Sequence, residues 1–185
     1  MGGKSDKGKL RLATSVGQDQ DGPHSQGQDD PARVSRSLYD WVYHGINPSD
    51  DRAHIMVEDV VFGPTERQNV SVLRELPEPA YGGFGWGYNG SGPLWAAAAI
   101  LADALSLGDP ASCGLDPAAP ARDGTLIALR GDFVWDVLSQ LCMEWRLRRG
   151  AVLRWVRGWY AEHGITDLPR AAVQLPPLSP YGRSS

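Results

Sequence analysis

From Arg33 to Gly45 (RVSRSLYDWVYHG) large apolar and polar residues alternate around Leu38, Tyr39, Trp41, Val42 and Tyr43. This aromatic-rich alternation predicts a β-strand. INPSDD (Ile46–Asp51) turns the chain, with Asn-Pro and Ser-Asp supplying the turn chemistry. RAHIMVEDVVFG (Arg52–Gly63) gives a second strand, Gly63-Pro64 punctuates, and RQNVSVLREL (Arg67–Leu76) gives a third that Pro77 and Pro79 end. Connections this short cannot hold a parallel crossover, so the expected arrangement is a three-stranded antiparallel meander.

The apolar period then lengthens to that of helices. At Ser91-Gly92-Pro93, Ser91 or Gly92 is placed to cap and Pro93 suits the first turn. Leu94, Ala97, Ala98, Leu101 and Leu105 trace one face while Trp95 and Ile100 lie on others, so this helix should be nearly enclosed. Asp109–Gly124 is a Pro- and Ala-rich connector. A second helix is expected where Val134, Val137, Leu138, Leu141, Cys142 and Trp145 recur at helical spacing, with Asp132 as its cap and Gly150 as its break. The third carries Val152, Val156, Trp159 and His163 on one stripe and ends at Gly164. The sequence thus predicts an α+β domain over residues 34–164, a small sheet on three helices. Trp86, Leu94, Leu101, Val137, Leu141, Trp145, Val156 and Trp159 are its expected core.

Composition adds the flanks. Residues 1–33 are mostly Gly, Gln, Asp, Ser and Lys, too poor in apolar groups to offset the entropy of ordering, and read as a disordered arm. Residues 165–185 are proline-rich and read as a loose tail that docks only in part. A chain of 185 residues fits one domain with such appendages. The net charge of −4 argues against bulk attraction to nucleic acid or an anionic membrane, so any charged patch must be found residue by residue. Cys113 and Cys142 form neither a disulfide framework nor a Cys-x-x-Cys pair. With no apolar secretory segment near the N-terminus and an Ala-rich run too short to span a bilayer, a cytoplasmic protein with no membrane association is expected.

The most distinctive motif is Gly85-Trp86-Gly87-Tyr88-Asn89-Gly90, a literal G-x-G-x-x-G before a helix. That spacing lets backbone N–H groups approach a phosphate, but the dinucleotide fingerprint needs a buried strand before it and a strand with an acidic residue after it. Neither is predicted here. Gly87, Tyr88, Asn89, Gly90, Ser91 and Gly92 remain a candidate ligand or anion loop beside a structural reading, in which the glycines give tight turns and the aromatics cover the helix. The second candidate is a basic, tryptophan-bearing surface of Arg148, Arg149, Arg154, Trp155 and Arg157, suited to a protein hot spot or to phosphate pairing and base stacking. Asp40, Glu58 and Asp59 lie on or beside strands as possible acid–base carboxylates, with no spacing to select them. His44 and His54 flank the first turn near Asp50 and Asp51, and the four histidines show no metal spacing. No pattern assigns a catalytic group, a metal or a cofactor.

FGWGYNGSGPLWAAAAILADAL resembles a family of small bacterial, plasmid and phage proteins, a domain of unknown function marked by a Trp-Gly-Tyr-x-Gly-Ser-Gly-Pro signature and an Ala/Leu-rich helix. The matching residues are Trp86, Gly87, Tyr88, Gly90, Ser91, Gly92 and Pro93. The resemblance implies a common fold and a mobile-element setting, and no activity. The expectation is a non-enzymatic accessory protein that binds a protein partner. Nucleic-acid binding through the arginines and small-ligand binding at the glycine loop are the alternatives.

Overall fold

The computed structural model describes residues 40–48, 52–61, 67–73, 83–118 and 123–175. Alternation in the first strand, β1 (Trp41–Ile46), sends Trp41, Tyr43 and Gly45 to one face and Val42, His44 and Ile46 to the other. It pairs antiparallel with β2 (His54–Val61), which pairs antiparallel with β3 (Arg67–Val72). The expected meander is therefore present. A fourth strand, β4 (Glu144–Arg148), adds antiparallel to the other side of β1 and gives the order β3-β2-β1-β4.

β4 overturns the expected second helix. The helix here is α3 (Gly124–Asp136), with Leu126, Leu129, Phe133 and Val134 buried at helical spacing. Its cap is Asp123, whose carboxylate accepts from the Thr125 and Leu126 N–H groups. Gly131 and Asp132, which resemble a helix start, are interior to it. One 3₁₀ turn follows (Leu138–Gln140), and then Glu144-Trp145-Arg146-Leu147-Arg148 alternates at the strand period. Trp145 continues the helical spacing from Val134 by coincidence. Its indole lies on the opposing glycine of β1, in space that a side chain at Gly45 would need.

The helix after the glycine loop, α1 (Ser91–Ala104), is enclosed as expected, with only Ser91, Leu94 and Asp103 not buried. Its cap is Gly90, with no side-chain hydrogen bond, so neither Ser91 nor Gly92 has the capping role. The 109–124 connector contains a one-turn helix, α2 (Pro110–Cys113), capped by the Asp109 carboxylate on the Ala111 N–H. The next helix, α4 (Arg149–Glu162), begins directly at the end of β4, so Gly150 lies in its first turn rather than breaking a helix. Val152, Val156 and Trp159 are buried as the stripe predicts, joined by Leu153 and Tyr160, while His163 is exposed. Gly164 follows at φ 66°, the left-handed geometry that favours glycine. The last helix, α5 (Arg170–Val173), packs on α4, and its Ala172 is buried.

The core lies between the helices and one face of the sheet. Of the expected core residues, Trp86, Leu101, Trp145, Val156 and Trp159 are buried, whereas Leu94, Val137 and Leu141 pack at its edge. Asp103, one of the three unburied residues of α1, ties that helix to β1: its Oδ2 accepts from Trp41 Nε1 at 3.1 Å and from the Tyr43 hydroxyl at 2.8 Å. No helix among the described residues is long and apolar enough to cross a membrane.

Candidate functional site

In the glycine loop, Tyr88 accounts for the spacing. Its ring folds back over Gly85, Gly90 and Gly92, and a Cβ at any of the three would meet it. Trp86 turns inward, packs edge-on against Trp145 at 5.4 Å and donates its Nε1–H to the Met143 carbonyl at 3.3 Å. Gly87, at φ 79°, donates its N–H to the Leu138 carbonyl at 2.9 Å. Asn89 and Ser91 are exposed at the tip. The Trp-Gly-Tyr-x-Gly-Ser-Gly signature thus builds a tyrosine-covered turn that docks on the segment before β4.

The five residues of the basic surface are not all at the surface. Arg148 is half-buried at the end of β4. Arg149 is buried, donating Nε–H to the last-turn carbonyl of α1, Ala104, at 3.0 Å and stacking its guanidinium 4.3 Å over Trp41. Burial pulls its pKa below the usual arginine range, opposed by the nearby Tyr43, Asp103 and Asp40. Arg154 donates to the Gly150 carbonyl of its own helix, and Trp155 packs on Phe133 and donates to Asp136. Arg157 is exposed. Arg149 therefore leaves the interaction surface, because its side chain closes the junction between α1 and β1. Asp40 is likewise engaged in the fold, its carboxylate accepting the Gly150 N–H in the first turn of α4 at 2.8 Å.

The face of the sheet turned away from the helices brings together residues that the sequence leaves scattered. Cross-strand register sets Val72, Met56, His44 and Arg146 in one row and Val70, Glu58, Val42 and Arg148 in the next. Ile46 lies beside His54 and Glu144 in a third. The side towards β3 is apolar, with Val70 and Val72 more than half exposed, and the side towards β4 is charged. At the centre, His44 Nδ1 meets Glu58 Oε1 at 2.9 Å, and its Nε2 meets Glu144 Oε1 at 2.9 Å. Arg146 Nη1 pairs with the other Glu58 oxygen at 3.1 Å.

His44 and Glu58 are buried although no described helix crosses this face, because Arg146 and Glu144 lie against them. His44 thus answers to two glutamates rather than to His54, and Asp50 and Asp51 lie outside the described residues, as do residues 1–33 and 176–185. Among the described residues no group of three or more His, Cys, Asp and Glu side chains is arranged to hold a metal. Glu144 and Arg146 are not legible as part of this cluster from sequence, because the helical spacing from Val134 runs on through Trp145. Their signal was the strict alternation of EWRLR. Compared with protein families, curated proteins and solved structures, the chain matches none.

Proposed function

We propose that the chain is a non-enzymatic accessory protein that binds a protein partner through the open face of its sheet. One observation carries this reading. Val70, Val72 and Ile46 are exposed on a face that also holds the half-buried Val42 and Met56, and register sets Val72 beside Met56 and Val70 beside Glu58, so that an apolar area adjoins a charged centre. Scattered surface valines are ordinary, whereas an apolar area beside a polar cluster on one flat face has the anatomy of an interface. The mobile-element setting rests on the resemblance of the glycine-loop signature alone. The arginine surface supports nucleic-acid binding less well, since Arg149 is buried and Arg154 is held by its own helix.

The test compares cross-linked captures of the whole chain from host cells, with nuclease present, for the native protein and for a Val70→Glu/Val72→Glu variant of unchanged Tm. A nuclease-resistant partner lost from the variant, and retained by Arg154→Glu/Arg157→Glu, is the expected outcome. Equal capture by the native chain and the valine variant would overturn the assignment to this face.

A further inference from the structure

We propose that His44 Nε2 and the Arg146 guanidinium form a carboxylate-recognition site on the open face, in which Glu144 is the resident internal ligand and an acidic side chain of the partner exchanges with it. The proposal rests on the partner-binding reading for its occupant and on the geometry for its site.

The two glutamates on His44 are not equivalent. The Glu58 side chain is 9% exposed, and its two oxygens are divided between His44 Nδ1 and Arg146. It fixes the ring's orientation and cannot leave without stranding a buried charge. The Glu144 side chain is 71% exposed and makes its contact from the first residue of β4, an edge strand, where it can turn away without disturbing the core. Ion pairs with one partner so exposed are weak, so a carboxylate held at high local concentration by a bound partner can take the position.

The chemistry selects an anion. A carboxylate only accepts when ionised, so both ring nitrogens donate to their partners only when the imidazole carries two protons. When Glu144 turns away, Nε2 is left beside Arg146, its direct cross-strand neighbour and itself 59% exposed, and an incoming carboxylate restores the contact that Glu144 makes. The guanidinium only donates, and Nε2 already faces a carboxylate, so the position suits a carboxylate rather than a cation. The neighbouring Ile46, Val70 and Val72 then specify the rest of the ligand: an acidic residue flanked by apolar ones, as on a partner segment lying across the strands.

The test uses the whole chain with ¹⁵N-labelled histidine, the His44 ring signals assigned by their loss in His44→Gln. Sodium acetate is the probe, titrated against chloride at constant ionic strength. In Glu144→Ala, checked to be folded by a cooperative unfolding transition, the His44 signals should shift saturably, with half-saturation at an acetate concentration about three-fold lower than in the native chain. Adding Arg146→Gln should abolish that gain. A His44 response that does not saturate in Glu144→Ala, or equal half-saturation in both proteins, overturns the site. Acetate needs no partner, so failure here with the valine variant still losing its partner removes the carboxylate site alone. Saturable acetate binding with equal capture by the valine variant removes the partner reading alone.

Discussion

Tyr43 and His44 are adjacent in sequence, lie on opposite faces of the same strand, and each meets a carboxylate from a distant element, Asp103 and Glu144 respectively. On the inner face Asp103 receives two neutral donors, Trp41 Nε1 and the Tyr43 hydroxyl, with the buried Arg149 stacked on Trp41. On the outer face His44 lies between one buried glutamate and one exposed one. The inner cluster is closed by α1 and α4, and every member has a place in the packing. The outer cluster is closed only by its own side chains. The first locks the sheet to the helices, and the second leaves one partner free to exchange.

If that contrast holds, the largest loss of stability follows from Asp103→Ala. Removing the shared acceptor strands the Trp41 and Tyr43 donors and leaves Asp40 as the remaining carboxylate near Arg149. Each orphaned buried donor costs roughly 1–3 kcal/mol, so a total of about 3 kcal/mol is expected from urea unfolding. Glu58→Gln on the outer face should cost about 2 kcal/mol, since a neutral amide still bonds His44 but no longer balances Arg146. A greater loss from Glu58→Gln than from Asp103→Ala would reverse the ranking of the two faces.

How much of this was legible in the sequence depends on the range of the interactions. The meander was legible because β1, β2 and β3 each show local alternation and are joined by short turns. Enclosure of α1 was legible because apolar residues occupy all its faces. β4 was not, because Val134, Leu138 and Leu141 continue into Trp145 at helical spacing and only five residues carry the competing alternation. The face cluster was half-legible. His44 and Glu58 stood out as titratable residues on strands, but their link to Glu144 and Arg146 needs the return of the chain about 100 residues later. Asp103 is one polar residue in an apolar helix with no local partner, and its role appears once Trp41 and Tyr43 are placed beside it. Arg149 read as surface because its neighbours in sequence are charged.

The two faces should also separate at alkaline pH. Burial, then the nearby Asp103 carboxylate, hold the Tyr43 hydroxyl well above the ordinary tyrosine range. Between that range and the raised value the unfolded chain loses the proton while the folded chain keeps it. The stabilisation is therefore complete below about pH 10 and is lost as pH rises through the folded value, by about 1.4 kcal/mol for each unit of separation. Tyr160, raised chiefly by burial, contributes in the same direction. Unfolding followed from pH 8 to 11 should show stability falling with pH, and Tyr43→Phe should flatten most of that fall while leaving the Tyr160 share. An unchanged slope in Tyr43→Phe would mean that the inner cluster opens before its tyrosine titrates.

The smallest effect belongs to Glu144→Ala, and its smallness matters to the comparison. The Glu144 carboxylate touches the same ring as Glu58 at the same 2.9 Å, so distance alone would rank the two contacts equally. Exposure separates them. Water replaces an exposed carboxylate at little cost, and an exposed pair contributes about 0–1 kcal/mol, whereas the Glu58 contact is shielded by Arg146 and the strand itself. Glu144→Ala should therefore lower stability by less than about 1 kcal/mol in urea, and the effect should shrink further in high salt, where exposed pairs are screened and shielded ones much less. A loss from Glu144→Ala as large as that from Glu58→Gln would make both glutamates structural. The outer face would then be as closed as the inner one, with no position left for a partner's carboxylate to take.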